Sequence, residues 1–125
     1  MKLRRAGKAD YPKIKQLVGK FPRQLMAEIP SYYRFFVAVN ERGEVVGCCA
    51  LDVYSKRIAE IRSLAVAQAY QGRGLGTALV RACLRQARRQ GISEVFAIIG
   101  RPAFFQKLGL KTFQNEKAAV FKRFK

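Results

Sequence analysis

The apolar and polar positions in the first quarter of the chain predict a short strand followed by a helix. Leu3–Ala6 is suited to a first strand. Asp10 stands where it can cap a helix that ends at Gly19. The apolar positions at helical spacing are Ile14, Leu17 and Val18. Phe21–Ser31 is ambiguous, and its apolar residues favour a second short helix stopped by Pro30.

Three β-rich runs come next, and the connections between them are only a few residues long. The runs are Tyr33–Val39, Glu44–Val53 and Arg57–Val66. A parallel crossover needs about a dozen residues or more, so we expect these three strands to pair antiparallel.

The second half of the chain predicts a long helix and further short elements. The long helix covers Leu75–Gln90 and ends at Gly91, and a buried strand follows at Ser93–Ile99. The last predicted elements are a helix at Pro102–Leu108 and strands at Leu110–Gln114 and Ala118–Phe124. This order predicts an α/β fold, with a sheet and helices packed together in one domain of residues 1–125.

The charge is strongly unbalanced, with 25 Lys and Arg against 8 Asp and Glu, a formal net charge of +17. A field of this sign attracts polyanions, including nucleic acid through non-specific contacts, but it does not name a partner. One basic group is regular: four arginines share a sector of about 100° on the long helix, opposite its apolar face. They are Arg81, Arg85, Arg88 and Arg89, and we interpret them as a solvated helix face.

Histidine is absent, which excludes Ser-His-Asp and Cys-His catalysis and argues against a metal site. The three cysteines have no metal-like spacing, so buried, reduced thiols are expected. Cys48 and Cys49 are adjacent on a strand and point to opposite faces, so we expect one of them in the core. Cys83 lies in the long helix. No run of about 18 apolar residues predicts a membrane span, and a cytoplasmic protein is the default expectation.

A glycine-rich turn between a strand and the long helix is the most informative segment. Glycines at alternate positions, Gly72, Gly74 and Gly76, let the backbone turn tightly and approach a ligand closely. The N–H groups at the start of the helix and the helix dipole favour an anion there, and Arg73 adds charge. The turn lacks the Gly-Lys-Ser/Thr of a P-loop and the glycine spacing of a dinucleotide fingerprint. If the turn alone is considered, a glycine-rich loop that binds no ligand remains an alternative.

The segment Ile61–Thr77 resembles motif A of the GNAT acetyltransferase superfamily, in which Q/R-x-x-G-x-G/A follows an L-A-V-type strand. Gln71-Gly72-Arg73-Gly74-Leu75-Gly76 matches that signature. Phe104-Phe105-Gln106-Lys107-Leu108-Gly109-Leu110 is similar to the family's second motif. The resemblance implies the GNAT fold: a mixed, mostly antiparallel, twisted sheet with helices on both faces.

The resemblance also implies the site of acetyl-CoA. The strand residues Leu64, Ala65 and Val66 would pair their backbone with the pantetheine arm, and the Val66 amide would stabilise the thioester oxygen. The residues implied to hold the pyrophosphate are Gln71, Gly72, Arg73, Gly74, Leu75, Gly76 and Thr77. Phe104 and Phe105 would lie near the pantetheine or adenine.

Glu60 matches the position where many members of the family carry a glutamate base. Many relatives have a tyrosine where Phe105 stands, so another hydroxyl, from Tyr54 or Tyr70, would protonate the leaving thiolate, or water would. The chain looks closest to the acetyltransferase domains of N-acetylglutamate synthase and its stand-alone relatives. An acidic amino acid as acceptor would suit Arg62 and Arg101 as carboxylate ligands.

The sequence therefore predicts an enzyme that transfers an acetyl group from acetyl-CoA to the amine of a small molecule, with glutamate or a related amino acid as the first candidate. Two alternatives stay open: acetylation of protein N-termini or lysines, and a non-catalytic protein of this fold that binds CoA or a polyanion. A monomer and a homodimer are both compatible with the sequence.

Overall fold

A computed structural model describes residues 1–20, 29–98, 108–109, 111–112 and 119–124. The strands are β1 (Lys2–Arg5), β2 (Phe35–Val39), β3 (Val45–Val53), β4 (Ile58–Val66), β5 (Glu94–Ile98), β6 (Lys111–Thr112) and β7 (Ala119–Arg123). The helices are α1 (Tyr11–Val18) and α2 (Leu75–Arg89). Neither helix in the described ranges combines the length and hydrophobicity needed to cross a membrane.

In the described part of the chain, the strands form one seven-stranded sheet in the order β1-β2-β3-β4-β5-β7-β6. β2, β3 and β4 pair antiparallel through short turns, as the sequence predicts. β4 and β5 are parallel, because α2 carries the chain back between them. The sheet is therefore mixed and mostly antiparallel, which confirms the predicted fold class.

The two helices cover opposite faces of the sheet, because successive strand residues point to opposite sides. The apolar face of α1 (Ile14, Leu17 and Val18) forms one core cluster with β-strand residues that include Cys48, Ala50 and Ala65. The buried side of α2 forms the other cluster with residues that include Cys49, Leu51 and Ile61. We call these the α1 face and the α2 face.

The sequence predicts one of Cys48 and Cys49 in the core, and because helices cover both faces of the sheet, both of them are. Both side chains are fully buried, one under each helix, and Cys83 is buried as well. All three thiols are free. Burial raises the pKa of Cys48 to about 12, so this thiol stays protonated and unreactive.

The Asp10 side chain does not cap α1, contrary to the sequence prediction. A 3-10 turn at Lys8–Asp10 precedes the helix, so the Asp10 carboxylate turns back and accepts from the Gly7 N–H at 2.7 Å. It also pairs with Arg4 at 2.7 Å. The side-chain hydrogen bond from Arg4 is the main reason that the pKa of Asp10 is lowered.

A second 3-10 turn, Tyr32–Arg34, delays the start of β2 to Phe35, two residues later than predicted. The predicted second helix falls mainly in residues 21–28, and the predicted helix at Pro102–Leu108 falls mainly in 99–107; both lie outside the described residues. Those two elements, and the extent of the domain, stay predictions.

Candidate active site

A β-bulge bends β4 in the middle of the sheet. Cys48 pairs with Ala65 and Ala50 pairs with Arg62, so one residue of β3 faces two residues of β4, Ser63 and Leu64. Ser63 takes up the extra length with φ of 56°, a left-handed conformation that non-glycine residues rarely adopt. The bulge changes the direction of β4 beyond this point.

β4 and β5 part before the bulge. Their parallel pairing runs from Ile58 with Glu94 to Glu60 with Phe96, and no later pair forms between the two strands although both continue. From Ile61 to Val66, the edge of β4 that faces β5 therefore has no strand partner among the described residues. We call the space along this edge the strand gap.

Backbone N–H groups of β4 point into the strand gap. The Ala67 N–H donates to the Val46 oxygen of β3 at 2.8 Å. Because successive residues of a strand point their N–H groups to opposite edges, the Val66 N–H faces the gap, the Ala65 N–H faces β3 and the Leu64 N–H faces the gap again. The Gln71 side-chain amide donates to the Val66 oxygen at 2.9 Å and so fastens the glycine-rich turn to the end of β4.

The glycine-rich turn forms an open cradle at the start of α2. Gly72 and Gly74 have φ of 79° and 82°, and a Cβ atom added to either would meet no heavy atom within 4 Å. The first backbone bond of α2 runs from the Ala78 N–H to the Gly74 oxygen at 3.0 Å. In the described chain, the N–H groups of residues 72–77 donate to no protein acceptor, as expected at a helix start. This row of free donors at the positive end of the helix dipole suits a phosphate group.

Arg73 and Tyr70 border the cradle. The Arg73 guanidinium lies 5.1 Å from the centre of the Tyr70 ring. The Tyr70 hydroxyl accepts a hydrogen bond from Asn40 at 3.1 Å. This contact holds the positive charge of Arg73 next to the free amides. The Arg73 guanidinium has no carboxylate partner among the described residues.

Glu60 lies at the other end of the strand gap, at the last pair before β4 and β5 separate. It is 7% exposed and on the α1 face. Its carboxylate accepts a hydrogen bond from the Tyr54 hydroxyl, and the Arg62 Nε lies 4.0 Å away. Partial burial and the hydrogen bond to Glu60 raise the pKa of Tyr54 to about 12. The Tyr54 ring also stacks on Phe96 of β5, with centroids 6.3 Å apart.

Arg62 belongs to an ion-pair network with Asp52 and Arg34, two residues that the sequence analysis did not connect to it. Its Nη1 donates to Asp52 at 3.1 Å, and the Nε of Arg34 lies 3.5 Å from the other oxygen of Asp52. Asp52 faces Glu60 across β3 and β4, so the register of the hairpin brings these charges together. The sequence does contain a signal for this network: in the predicted hairpin, the register places a second carboxylate, Asp52, opposite Glu60.

β4 connects Glu60 and Arg62, at one end of the strand gap, to the glycine cradle beyond its other end. Three of the predicted site residues, Phe104, Phe105 and Arg101, lie outside the described residues and stay predictions.

Comparison with known proteins defines the class to which this fold and site belong. The chain matches the acetyltransferase (GNAT) family over residues 4–110. It belongs to this family, which confirms the resemblance carried by the glycine-rich turn.

Individual relatives agree with this assignment. An amino-acid acetyltransferase of Mycobacterium tuberculosis is 36% identical in an alignment 121 residues long that covers 90% of this chain and 70% of the relative. An uncharacterized N-acetyltransferase of Chlorobaculum tepidum is 33% identical over 98 residues, 78% of this chain. The match spans 63% of that relative's length, less than two thirds.

One solved structure is similar in both sequence and fold. Rv2747 from Mycobacterium tuberculosis, in complex with CoA and NLQ, superposes with a TM-score of 0.85 at 34% identity. The superposition covers 90% of this chain and 73% of that one.

Proposed function

We propose that this protein is an acetyl-CoA-dependent N-acetyltransferase that acetylates the amine of an amino acid, with glutamate or a related amino acid as the first candidate. One observation carries the proposal: the strand gap joins an open phosphate cradle at one end to a buried carboxylate, Glu60, at the other. Family membership and the amino-acid acetyltransferase relative support the same activity.

The residues present fit the donor. The free N–H groups of residues 72–77, with Arg73, would bind the pyrophosphate, and the gap-facing edge of β4 would lie along the pantetheine arm. Bound acetyl-CoA supplies the acetyl group as a thioester. Leu64 and Val66 would contribute backbone donors to this edge, whereas Ala65 is turned to β3 and contributes packing.

Distance along β4 revises which amide serves the thioester oxygen. Val66 is six residues beyond Glu60, about 20 Å in a strand that rises about 3.3 Å per residue, and Leu64 is two residues nearer. An oxyanion donor and a base that serve one transfer must lie close together. We therefore assign the thioester oxygen to the Leu64 amide, in place of the predicted Val66 amide, and leave Val66 to the pantetheine arm.

Glu60 is suited to remove a proton from the acceptor amine, directly or through one water. Tyr54 is the better placed of the two candidate acids, because its hydroxyl lies on Glu60. Its raised pKa of about 12 keeps it protonated at neutral pH. Tyr70 lies instead beside the cradle, against Arg73.

Arg62 is our candidate for binding the acceptor's carboxylate, together with Arg101. Asp52 holds the Arg62 guanidinium beside Glu60, so a carboxylate bound there would have its amine near the base. Buried free thiols are in keeping with a reducing compartment, and we propose the cytoplasm as the place of action.

The test is release of CoA thiol from acetyl-CoA with a panel of amino acids, compared with peptides that offer a free N-terminus or a lysine. We expect an amino acid to be turned over with the highest kcat/KM. Faster turnover of peptides would favour protein acetylation. Tight CoA binding in calorimetry with no turnover of any amine would contradict the enzymatic proposal.

A further inference from the structure

The exposed side of α2 consists of arginine and has no apolar residue. Its exposed positions are Arg81, Arg85, Arg88 and Arg89, and the next exposed residue is Gln90. The helix contains no Asp or Glu. We call these four arginines the α2 stripe.

The stripe has no counter-charge within the part of the chain that the structure describes. Among the described residues, no carboxylate oxygen lies within 4.0 Å of any of its guanidinium groups. Arg81, Arg85 and Arg89 follow one another at i and i+4, where like charges repel. An anion from outside the fold would relieve this repulsion.

The basic surface continues onto the neighbouring end of the sheet. The Arg88 guanidinium lies 5.8 Å from the centre of the Phe124 ring, and the Lys122 ammonium lies 5.9 Å from the same ring. Phe124 thus holds two cations from different elements close together, which extends the stripe away from the glycine cradle.

The length of the stripe suits a phosphate backbone. Arg81 and Arg89 are eight residues apart, about 12 Å at about 1.5 Å per residue. Each strand of a DNA duplex carries one phosphate per about 3.4 Å of axis, so about three to four phosphates span the same length.

We propose that the α2 stripe binds the phosphate backbone of nucleic acid without sequence preference, as a function separate from acetyl transfer. A protein partner is less suited, because stable protein interfaces have an apolar core and the stripe has none. A membrane surface is also less suited, since the apolar side of α2 is buried in the α2 face and cannot enter lipid.

Two variants that each lose four positive charges, one on the stripe and one elsewhere, test the proposal. Arg81→Gln, Arg85→Gln, Arg88→Gln and Arg89→Gln together remove four charges from the stripe, and Gln keeps a similar helix propensity. The control replaces four exposed lysines outside α2 by glutamine: Lys2, Lys8, Lys13 and Lys56. The probe is a fluorescent 20-base-pair DNA duplex, followed by anisotropy between 50 and 200 mM salt.

We expect the stripe variant to weaken duplex binding at least tenfold and the control less than threefold. The slope of log K against log salt should become shallower by about 0.9 for each phosphate that the variant no longer neutralises. CoA affinity should be unchanged in both variants, so this test does not depend on the acetyltransferase proposal. Equal weakening in both variants, no binding by the native chain, or tighter binding to phosphatidylserine vesicles than to the duplex would overturn it.

Discussion

Glu60 is a buried carboxylate within a small cluster of polar side chains on the α1 face of the sheet. Burial removes water from the carboxylate, and the Tyr54 hydroxyl and the Arg62 guanidinium replace part of that hydration. Both partners come from the same hairpin, so the local strand geometry holds the carboxylate in place. This arrangement gives the proposed base a fixed position at the point where the strand gap opens.

Replacing Glu60 by Gln keeps its shape and removes its ability to accept a proton. We expect kcat/KM to fall about 10²- to 10⁴-fold, the usual contribution of a positioned general base. CoA affinity should not change, because Glu60 lies far from the cradle. The measurement is steady-state thiol release, with Glu44→Gln, an exposed hairpin carboxylate, as the control. Native rates in the Glu60 variant would show that another group takes the proton.

The raised pKa of Tyr54 predicts that the stability of the fold depends on pH. Its folded pKa of about 12 is above the ordinary value of 10.0, so folding favours the protonated phenol. The resulting stability is fully present below about pH 10 and is lost as the pH rises through 12. We expect the difference in unfolding free energy between the native chain and Tyr54→Phe to be constant from pH 7 to 9 and to shrink at pH 11. Urea unfolding at these pH values checks this, and a difference that grows with pH would contradict it.

At the scale of elements, the turn before α2 is open, and its backbone N–H groups are free in the described chain. Its two left-handed glycines face open space, and the start of α2 has no side-chain cap from the described residues. A fold that needed only stability would satisfy some of these N–H groups with a capping side chain. The free donors of the cradle are therefore in keeping with the proposed binding of an anion.

Gly74→Gln should weaken CoA binding at least tenfold and leave the fold intact. The backbone cost of a side chain at φ of 82° is about 1–2 kcal/mol, and the new side chain would occupy the cradle. Gly43→Gln is a matched control, because Gly43 has φ of 79°, equally open surroundings and a place in the β2–β3 turn. Calorimetric CoA titration and thermal unfolding measure both effects. Equal CoA affinity in the two variants would place the pyrophosphate elsewhere.

At the scale of the whole molecule, the formal charge of +17 opposes the compact state, since the positive charges repel one another. Few carboxylates are available to offset them. The charge therefore favours binding of anions at the expense of stability.

Added salt should stabilise the native chain. The Debye screening length falls from about 10 Å at 0.1 M salt to about 3 Å at 1 M salt. Each 1 kcal/mol of repulsion that is relieved corresponds to a rise of about 4 °C in Tm. Calorimetry in NaCl tests this, and the variant without the α2 stripe should show a smaller rise. A Tm that falls with salt would mean that favourable ion pairs, such as Arg62 with Asp52, dominate.

The sequence by itself determined most of the described elements and predicted a site for the donor. Apolar periodicity placed α1, α2 and the three antiparallel strands, because period and turn length are local properties. The glycine-rich turn predicted the open cradle for the same reason: glycine freedom and helix-start donors depend on neighbouring residues.

Only the tertiary structure decided how the rest of the site is built. The bulge at Ser63, the parting of β4 from β5 and the exposure of the Leu64 and Val66 amides follow from strand register. Register also brought Asp52 to Arg62 and buried both adjacent cysteines. These contacts join residues distant in sequence, and a shift of one residue would turn each side chain to the other face. Local sequence spacing does not encode that choice, whereas packing against the helices on both faces selects it.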